Sequence, residues 1–400
     1  MNLRKIRRDF PILKKGIIYL DNAASSLTPD QVVNQMMEYY HTYRANIHRG
    51  VHQLSQKASE EYANARTKIS SFINSRSDEE VIITKNTTEG INVIANGLKW
   101  RKGDRIVTTN IEHHSNFVVW MRIKERYGVD VEIVQPNQEG TLNTLDFEKA
   151  IDDRTKLVAI THASNVLGVI TPVEEITKIA HEHEALMLID GAQSVPHMPV
   201  DVQRIDCDFL AFSGHKMCGP TGVGVLYIRD TLLNEIEPLC LGGGTVKDAG
   251  FDSYSLVQSP QRFEAGTPPI AEVIGLGAAI DYLNDIGMDK IRAHDIKLIK
   301  KLHDKLLTIP KITVYGPESK HKVGILSFNI EDLSSHEVAL ALDAAAKIMV
   351  RSGDHCAIPL MKDVLQQPRG TVRASTYLYN TDEEIDKLLE VISELSASLI

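Results

Sequence analysis

The sequence predicts an α/β protein, with a large domain built on a mostly parallel seven-stranded sheet followed by a smaller α+β domain. Three observations point there. Between residues 80 and 228, seven β-rich runs alternate with helical patterns. Most of these runs are nearly continuous in apolar residues, as strands covered on both faces are. After about residue 285 the texture changes to long helices separated by strands, and 400 residues exceed the roughly 250–300 that one core usually fills.

The seven runs are EVIIT, DRIVTT, VDVEIV, KLVAIT, ALMLID, CDFLAFS and GVGVLYI. Their alternation with helices implies right-handed βαβ crossovers. One intervening helix, TPVEEITKIAHEHE, starts on Thr-Pro and repeats Val173, Ile176, Ile179 and Ala180 on one face.

The second region reads as a helix (KIRAHDIKLIKKLHDKLL), a strand (VGILSFNI), a helix (SSHEVALALDAAA), a strand (TVRASTYLY) and a final helix. That last helix opens on Thr381 with Glu384 three residues on, the pattern of a capping box, and aligns Ile385, Leu388, Leu389, Ile392 and Leu395. No repeat, low-complexity tract or flexible linker separates the regions, so two directly packed domains are expected: 16–284, and 1–15 joined by 285–400. The cleft between them is the expected site.

With 43% hydrophobic residues, 24% charged residues and a net charge of -9, the chain offers no general attraction to nucleic acid or to an anionic membrane. The N-terminus MNLRKIRRDFPILKK is basic but lacks a signal peptide's apolar run, and no stretch approaches the roughly 18–20 apolar residues of a membrane helix. A cytoplasmic protein is expected. Four irregularly spaced cysteines form no CxxC pair, so neither a metal site nor a redox dithiol is expected.

The most informative stretch is LIDGAQSVPHMPVDVQRIDCDFLAFSGHKMCGPTGVGVLYI, residues 188–228. Asp190 ends one apolar strand, and Ser213-Gly214-His215-Lys216 follows the next. Ligands bind at the carboxyl ends of parallel strands, so both Asp190 and Lys216 should face the crevice. A lysine amine that bonds an aldehyde and a carboxylate that keeps a ring nitrogen protonated suit pyridoxal phosphate. A structural Asp-Lys ion pair competes with that reading on equal terms.

A phosphate also needs donors. TKNTTEGIN places Thr87 and Thr88 after a strand and at a helix start, where backbone N–H groups favour anions, although threonine there also serves simply as a cap. IEHHSNFVVW puts His113 and His114 beyond another strand, where one imidazole can lie against a flat ring and move protons, or both can be ordinary loop residues. No Walker motif is present, and GGGTVK at 242–247 lacks the strand-to-helix context of a nucleotide loop.

Taken in order, YLDNAASSLTP, ANIHRGVH, TKNTTEGIN, IEHHSNFVVW, SNVLG, IDGAQS, FSGHKMCGPTGVG, RFEAGTPP, RSGDHCA and VRASTYLYNT run nearly end to end. In these motifs the chain resembles the class V aminotransferase-fold, pyridoxal-phosphate-dependent cysteine desulfurases, specifically the Suf-type branch that includes the selenocysteine lyases. The resemblance implies the fold type I architecture of pyridoxal-phosphate-dependent transferases.

By that resemblance Lys216 bonds the cofactor, Asp190 partners its ring nitrogen, Gln193 donates to the ring hydroxyl, and His113 stacks and handles protons. Thr88, Ser213 and His215 hold the phosphate, and Thr267 reaches the phosphate of a neighbouring subunit in a homodimer. Asn165 and Arg373 grip the substrate carboxylate, with Arg351 a further substrate or loop contact. The implied reaction takes sulfur from L-cysteine to leave L-alanine and a persulfide on Cys356, with L-selenocysteine as a second substrate. The sulfur passes to an acceptor protein of iron–sulfur cluster assembly.

The attacking group must be a thiolate, and the expected helpers are His355 and His113. Asp354 departs from the Suf-type pattern, which commonly has histidine there; a carboxylate at that place opposes thiolate formation. CAIPL continues without the longer mobile loop of the other desulfurase branch, so a short ordered cysteine loop is expected. Cys207 and Cys240 read as small buried hydrophobes, and Cys218 as an unreactive neighbour of the site. Two other readings stay open: a lyase, epimerase or aminotransferase of the same fold, and a non-catalytic scaffold.

Overall fold

The computed structural model describes residues 1–398. A two-residue strand, β1 (Ile18–Tyr19), precedes the large sheet, whose members are β2 (Val81–Thr84), β3 (Arg105–Thr109), β4 (Asp130–Val134), β5 (Thr155–Thr161), β6 (Leu186–Asp190), β7 (Phe209–Ser213) and β8 (Gly224–Ile228). Their order is β2-β8-β7-β6-β5-β3-β4, and only β8 runs antiparallel to its neighbours. All seven runs read from the sequence are strands of this sheet.

Their apolar continuity has a direct packing cause. On one face Val107, Val158, Ile160, Met187, Ile189, Leu210, Phe212 and Val225 join the main core. The intervening Ile106, Leu157, Ala159, Leu188, Phe209, Ala211 and Leu226 join a second core on the opposite face. Side chains alternate along a strand, so both faces are buried only if nearly every residue is apolar. Each enclosed aliphatic side chain contributes about 1.5–3 kcal/mol.

Beyond the sheet, β9 (Val246–Ala249) and β10 (Tyr254–Leu256) make a hairpin. The later region forms a four-stranded antiparallel sheet from β11 (Ile312–Tyr315), β12 (Ile325–Ile330), β14 (Arg351–Gly353) and β15 (Thr371–Ser375), in the order β11-β12-β15-β14. Between β12 and β14, the short β13 (Ile348–Met349) pairs in parallel with β1. The helices Met288–Leu306, Ser335–Ala346 and Asp382–Ala397 cover one face of that small sheet and close a third core through Leu298, Leu302, Phe328, Leu342, Val372, Ala374, Ile385 and Leu388. The last helix has the expected Thr381–Glu384 capping box.

The two parts meet over the carboxyl ends of β5, β6 and β7. Segment 20–23 stitches them: Ser375 N–H donates to Leu20 O at 2.7 Å, and Ala23 N–H donates to Ser375 Oγ at 2.9 Å. The N-terminal residues touch both sides. Arg7 donates to Tyr379 O and to Glu384, while the Phe10 ring packs against Tyr282 and Tyr379. No helix among the described residues is long and apolar enough to cross a membrane.

Candidate active site

A cavity of about 400 Å³ opens at that junction. Thr161, Asp190 and Ser213, the last residues of β5, β6 and β7, form its floor. In register Thr161 lies beside Asp190, and Asp190 beside Ala211. Polar side chains at three adjacent strand ends therefore arise from one property of a parallel sheet: its strands all end on the same edge.

Asp190 is buried, and its Oδ1 accepts from Ala192 N–H at 2.9 Å. Burial raises its carboxyl above the ordinary range, against the effects of that N–H and of Lys216. Lys216 lies on the turn Gly214–Lys216 that follows β7. Desolvation pulls its amine down to about 8, opposed by the Asp190 charge. Such an amine is neutral in a useful fraction near neutral pH, as a nucleophile or a base must be.

The helix Thr87–Gly97 brings its first turn to the cavity, where Asn86, Thr87 and Thr88 line the wall. Thr87 N–H donates to Ser213 Oγ at 2.9 Å, and the Thr87 and Ser213 hydroxyls are 2.7 Å apart. Thr88 Oγ1 lies 2.7 Å from Ser115 Oγ. A Cβ at Gly224 would sit 2.6 Å from Asn86 Cα, so glycine on β8 is what lets this helix start approach the sheet. His215 also lines the cavity, with Nδ1 3.3 Å from Ser25 Oγ; burial and Lys216 hold the ring down to about 4 and so keep it neutral.

His113 caps the short turn His114–Asn116, its Nδ1 accepting from Ser115 N–H at 3.1 Å. That bond leaves the proton on Nε2. Burial first, then Lys216, hold the ring down to about 4. Behind it stands a group the sequence reading passed over, Glu112. This buried carboxyl accepts from Thr109 Oγ1 at 2.7 Å, from Thr161 N–H at 3.0 Å and from Asn116 Nδ2 at 2.7 Å. It ties the ends of β3 and β5 to the His113 turn, and burial pushes it up to about 8. The signal for it was a lone glutamate following an apolar strand in IEHHSN.

Arg373 enters from the small sheet. Its neighbours Val372 and Ala374 point into the small core, so strand alternation turns the guanidinium towards the cavity. Nη1 donates to Asn165 O at 2.9 Å and Nη2 to Asp21 Oδ1 at 3.2 Å, while Nε is buried without a partner. Arg351, paired with Arg373 across β14 and β15, stands 3.7 Å from Asp21 Oδ2. Asp21 thus bridges both arginines, a role its motif YLDNAAS did not reveal.

Cys356 is exposed and lines the same cavity with Asp354 and His355. Its negative charge would help hold protons on Lys216 and Arg373. His355, one expected helper, turns away: its Nε2 donates to Thr371 O at 3.1 Å, and burial and Arg373 drive the ring down to about 3. It is neutral and offers no positive charge to a thiolate. Asp354 has a structural place, with Oδ1 3.4 Å from Cys356 N and its carbonyl accepting from Ala357 N–H at 2.9 Å. It closes the cysteine turn.

Every residue expected to hold the cofactor or substrate lines this cavity except Thr267. Thr267 borders a separate hollow with Asn46, His48, Arg49, Gly243 and Gly244. Cys207 is buried as expected and Cys218 is buried too, but Cys240 is exposed, which corrects the expectation of a buried hydrophobe. It lies between Leu239 and Leu241, themselves exposed, on a glycine-rich loop.

The donor set matches pyridoxal phosphate: a lysine of lowered basicity, an enclosed carboxylate and a helix start rich in hydroxyls. Gln193 adds an enclosed side chain whose Nε2 donates to Ala23 O at 2.8 Å while its Oε1 is buried without a partner.

The family pattern described as Aminotransferase class-V matches residues 18–388. A protein named probable cysteine desulfurase from Methanothermobacter thermautotrophicus is 48% identical over 398 residues, covering 99% of this chain and 98% of its own. The apo structure of cysteine desulfurase from Thermococcus onnurineus aligns with a TM-score of 0.95 and 46% identity, covering 99% of this chain and 98% of that one. The cysteine desulfurase CsdA from Escherichia coli aligns with a TM-score of 0.93 and 32% identity, over 100% and 99% of the two chains. With the matched residues spanning both sheets and the cavity between them, the chain belongs to the class-V aminotransferase family, and pyridoxal 5'-phosphate is its cofactor.

Proposed function

We propose that this chain is a cysteine desulfurase that moves the sulfur of L-cysteine onto Cys356 and releases L-alanine. The observation that carries the reading is the presence of Cys356 and Lys216 in one cavity, from opposite sides of the domain junction. A lyase, epimerase or aminotransferase needs only the lysine; an exposed cysteine on a turn facing it supplies a sulfur acceptor. An enclosed lysine held near neutrality likewise speaks against a non-catalytic scaffold.

In this reading Lys216 and Asp190 hold the cofactor at its two ends. The Thr87–Gly97 helix start, with Thr88, Ser213 and His215, takes the phosphate, and Gln193 takes the ring hydroxyl. When bound, pyridoxal phosphate accepts the electron pair left on the substrate α-carbon. Arg373 and Asn165 orient the substrate carboxylate, and His113 covers the ring. Lys216 takes the α-proton. The Cys356 thiolate attacks the substrate sulfur: an S–S bond forms, the Cβ–S bond breaks with its electron pair staying on the substrate, and protonation of Cβ together with return of a proton to the α-carbon gives alanine. No external oxidant is required.

The finer assignments belong to the same proposal. The chain is read as a Suf-type enzyme that feeds iron–sulfur cluster assembly through a sulfur-acceptor protein and also accepts L-selenocysteine. A homodimer is supported by the position of Thr267 outside its own cavity and by the exposure of Phe251 and Tyr254 on the β9–β10 hairpin. The domains are taken as 16–284, and 1–15 with 285–400. A cytoplasmic location suits this chemistry, since a persulfide needs a reducing compartment to be handed on.

The test replaces Cys356 with Ala in the holoenzyme. Cofactor absorbance should persist, while mass analysis after L-cysteine should find the added sulfur atom on wild type and none on the variant. Undiminished alanine formation by C356A would refute the assignment.

A further inference from the structure

The turn that carries Cys356 is unusual in its backbone. His355 and Cys356 both have left-handed φ, 52° and 56°, and neither is glycine. Two consecutive L-residues in that region persist only where neighbours over-determine them. Within the turn, Ala357 N–H donates to Asp354 O. From the small sheet, Thr371 O accepts from His355 Nε2, and three further restraints come from the large domain. Asn165 Nδ2 donates to His355 O at 2.8 Å. His114 holds the turn at two points: its N–H donates to Cys356 O at 2.7 Å, and its Nε2 accepts from Ile358 N–H at 3.1 Å.

His114 does not line the cofactor cavity, although His113 does. It touches the two peptide groups that follow the sulfur-bearing residue, those on either side of Ala357, and not the reacting atoms. Accepting through Nε2 places the ring's N–H on Nδ1.

We propose that His114 is the positioning residue that sets the Cys356 sulfur over the substrate, and that the lone pair on its Nε2 is the part that matters. This rests on the desulfurase reading. The backbone bond survives any substitution that keeps an N–H, but the bond to Ile358 needs a side-chain acceptor. Without it Ile358 N–H loses its partner, and the two strained residues can relax towards the ordinary right-handed region. Sulfur transfer depends on an in-line approach, and a displacement of about 1 Å costs on the order of 100-fold in rate.

The experiment compares holoenzyme carrying His114→Phe, which keeps a ring but no acceptor, with His114→Gln, which restores an acceptor at similar reach. Three quantities are read: the single-turnover rate of persulfide formation on Cys356, KM for L-cysteine, and the rate of Cys356 alkylation by iodoacetamide. H114F should slow persulfide formation by about 100-fold with KM within about 2-fold of wild type and an altered alkylation rate. H114Q should recover to within a few-fold. An unchanged rate in H114F, or H114Q as slow as H114F, would overturn the proposal. Hydrogen exchange in wild-type holoenzyme is a second measurement that needs no variant: the Ile358 amide should be protected, and exchange at the rate of a free amide would also overturn it. Failure of wild type to form any persulfide would instead sink the desulfurase reading itself.

Discussion

Arg373 and Asp21 form an ion pair at the junction of the two sheets, with Nη2 3.2 Å from Oδ1 and the arginine 3% exposed. The pair leaves the guanidinium fixed by Asp21 on one nitrogen and by Asn165 O on another, with Nε still free. An arginine held this way offers a preset fork to a carboxylate, whereas lysine offers one flexible point charge.

Arg373→Lys should therefore raise KM for L-cysteine by about 10–100-fold, the cost of a charged hydrogen bond worth roughly 1.5–3 kcal/mol, and change kcat less. Steady-state alanine formation measures both. An unchanged KM would mean that Arg373 only holds the two sheets together.

The lowered basicity of Lys216 has a direct readout in the recovery of cofactor-stripped protein. Only the neutral amine attacks the cofactor aldehyde, so the rate of reconstitution should rise with pH and reach half its maximum near 8 instead of about 10.5. Asp190 opposes the desolvation, so Asp190→Asn should move that midpoint to lower pH. Absorbance of the bound cofactor follows the rate, and a midpoint near the ordinary lysine value would show the amine to be better hydrated than its surroundings suggest.

His162, the residue that follows β5, is buried with Nδ1 unpartnered, and burial holds it down to about 4 from 6.5. Between those values the unfolded chain binds a proton that the native protein does not, so this residue's contribution to stability falls as pH falls. The loss between pH 7 and pH 5 is about 2 kcal/mol. His162→Phe should flatten the acid limb of a denaturant-midpoint profile by that amount. Glu112 acts in the opposite sense. Its carboxyl is raised to about 8, so the native protein holds a proton the unfolded chain releases above about 4.5, and its contribution declines from there towards pH 8. Glu112→Gln should remove that alkaline decline.

The large sheet was legible because its strands are buried on both faces. That demand writes an unbroken apolar run, and all seven runs became strands. The small sheet was legible only in part. β12 and β15 carry core residues, but β11 and β14 are four- and three-residue strands on the sheet edges, with exposed or half-buried positions and no periodicity to detect. The final helix announced itself through a cap that is local in sequence.

At the site, the residue types and motif order carried the cofactor and the family reaction, because a lysine, a carboxylate and a cysteine brought into one cavity suit few other chemistries. What the motifs could not carry were relations between distant segments. Asp21 serves two arginines that lie more than three hundred residues away in sequence. His355 looked able to assist the thiolate beside it, yet its ring is turned towards Thr371 and kept neutral. Asp354, whose charge seemed out of place, closes a turn. Cys240 looked like a core residue, and only the path of its loop leaves it exposed.

The sequence by itself determined the fold class and the family, since each follows from local patterning or from an ordered set of motifs. The tertiary structure decided which groups meet, which way each ring nitrogen faces and how far each charge is desolvated. Those properties depend on distances between segments that only packing brings together, and a one-dimensional pattern does not contain them.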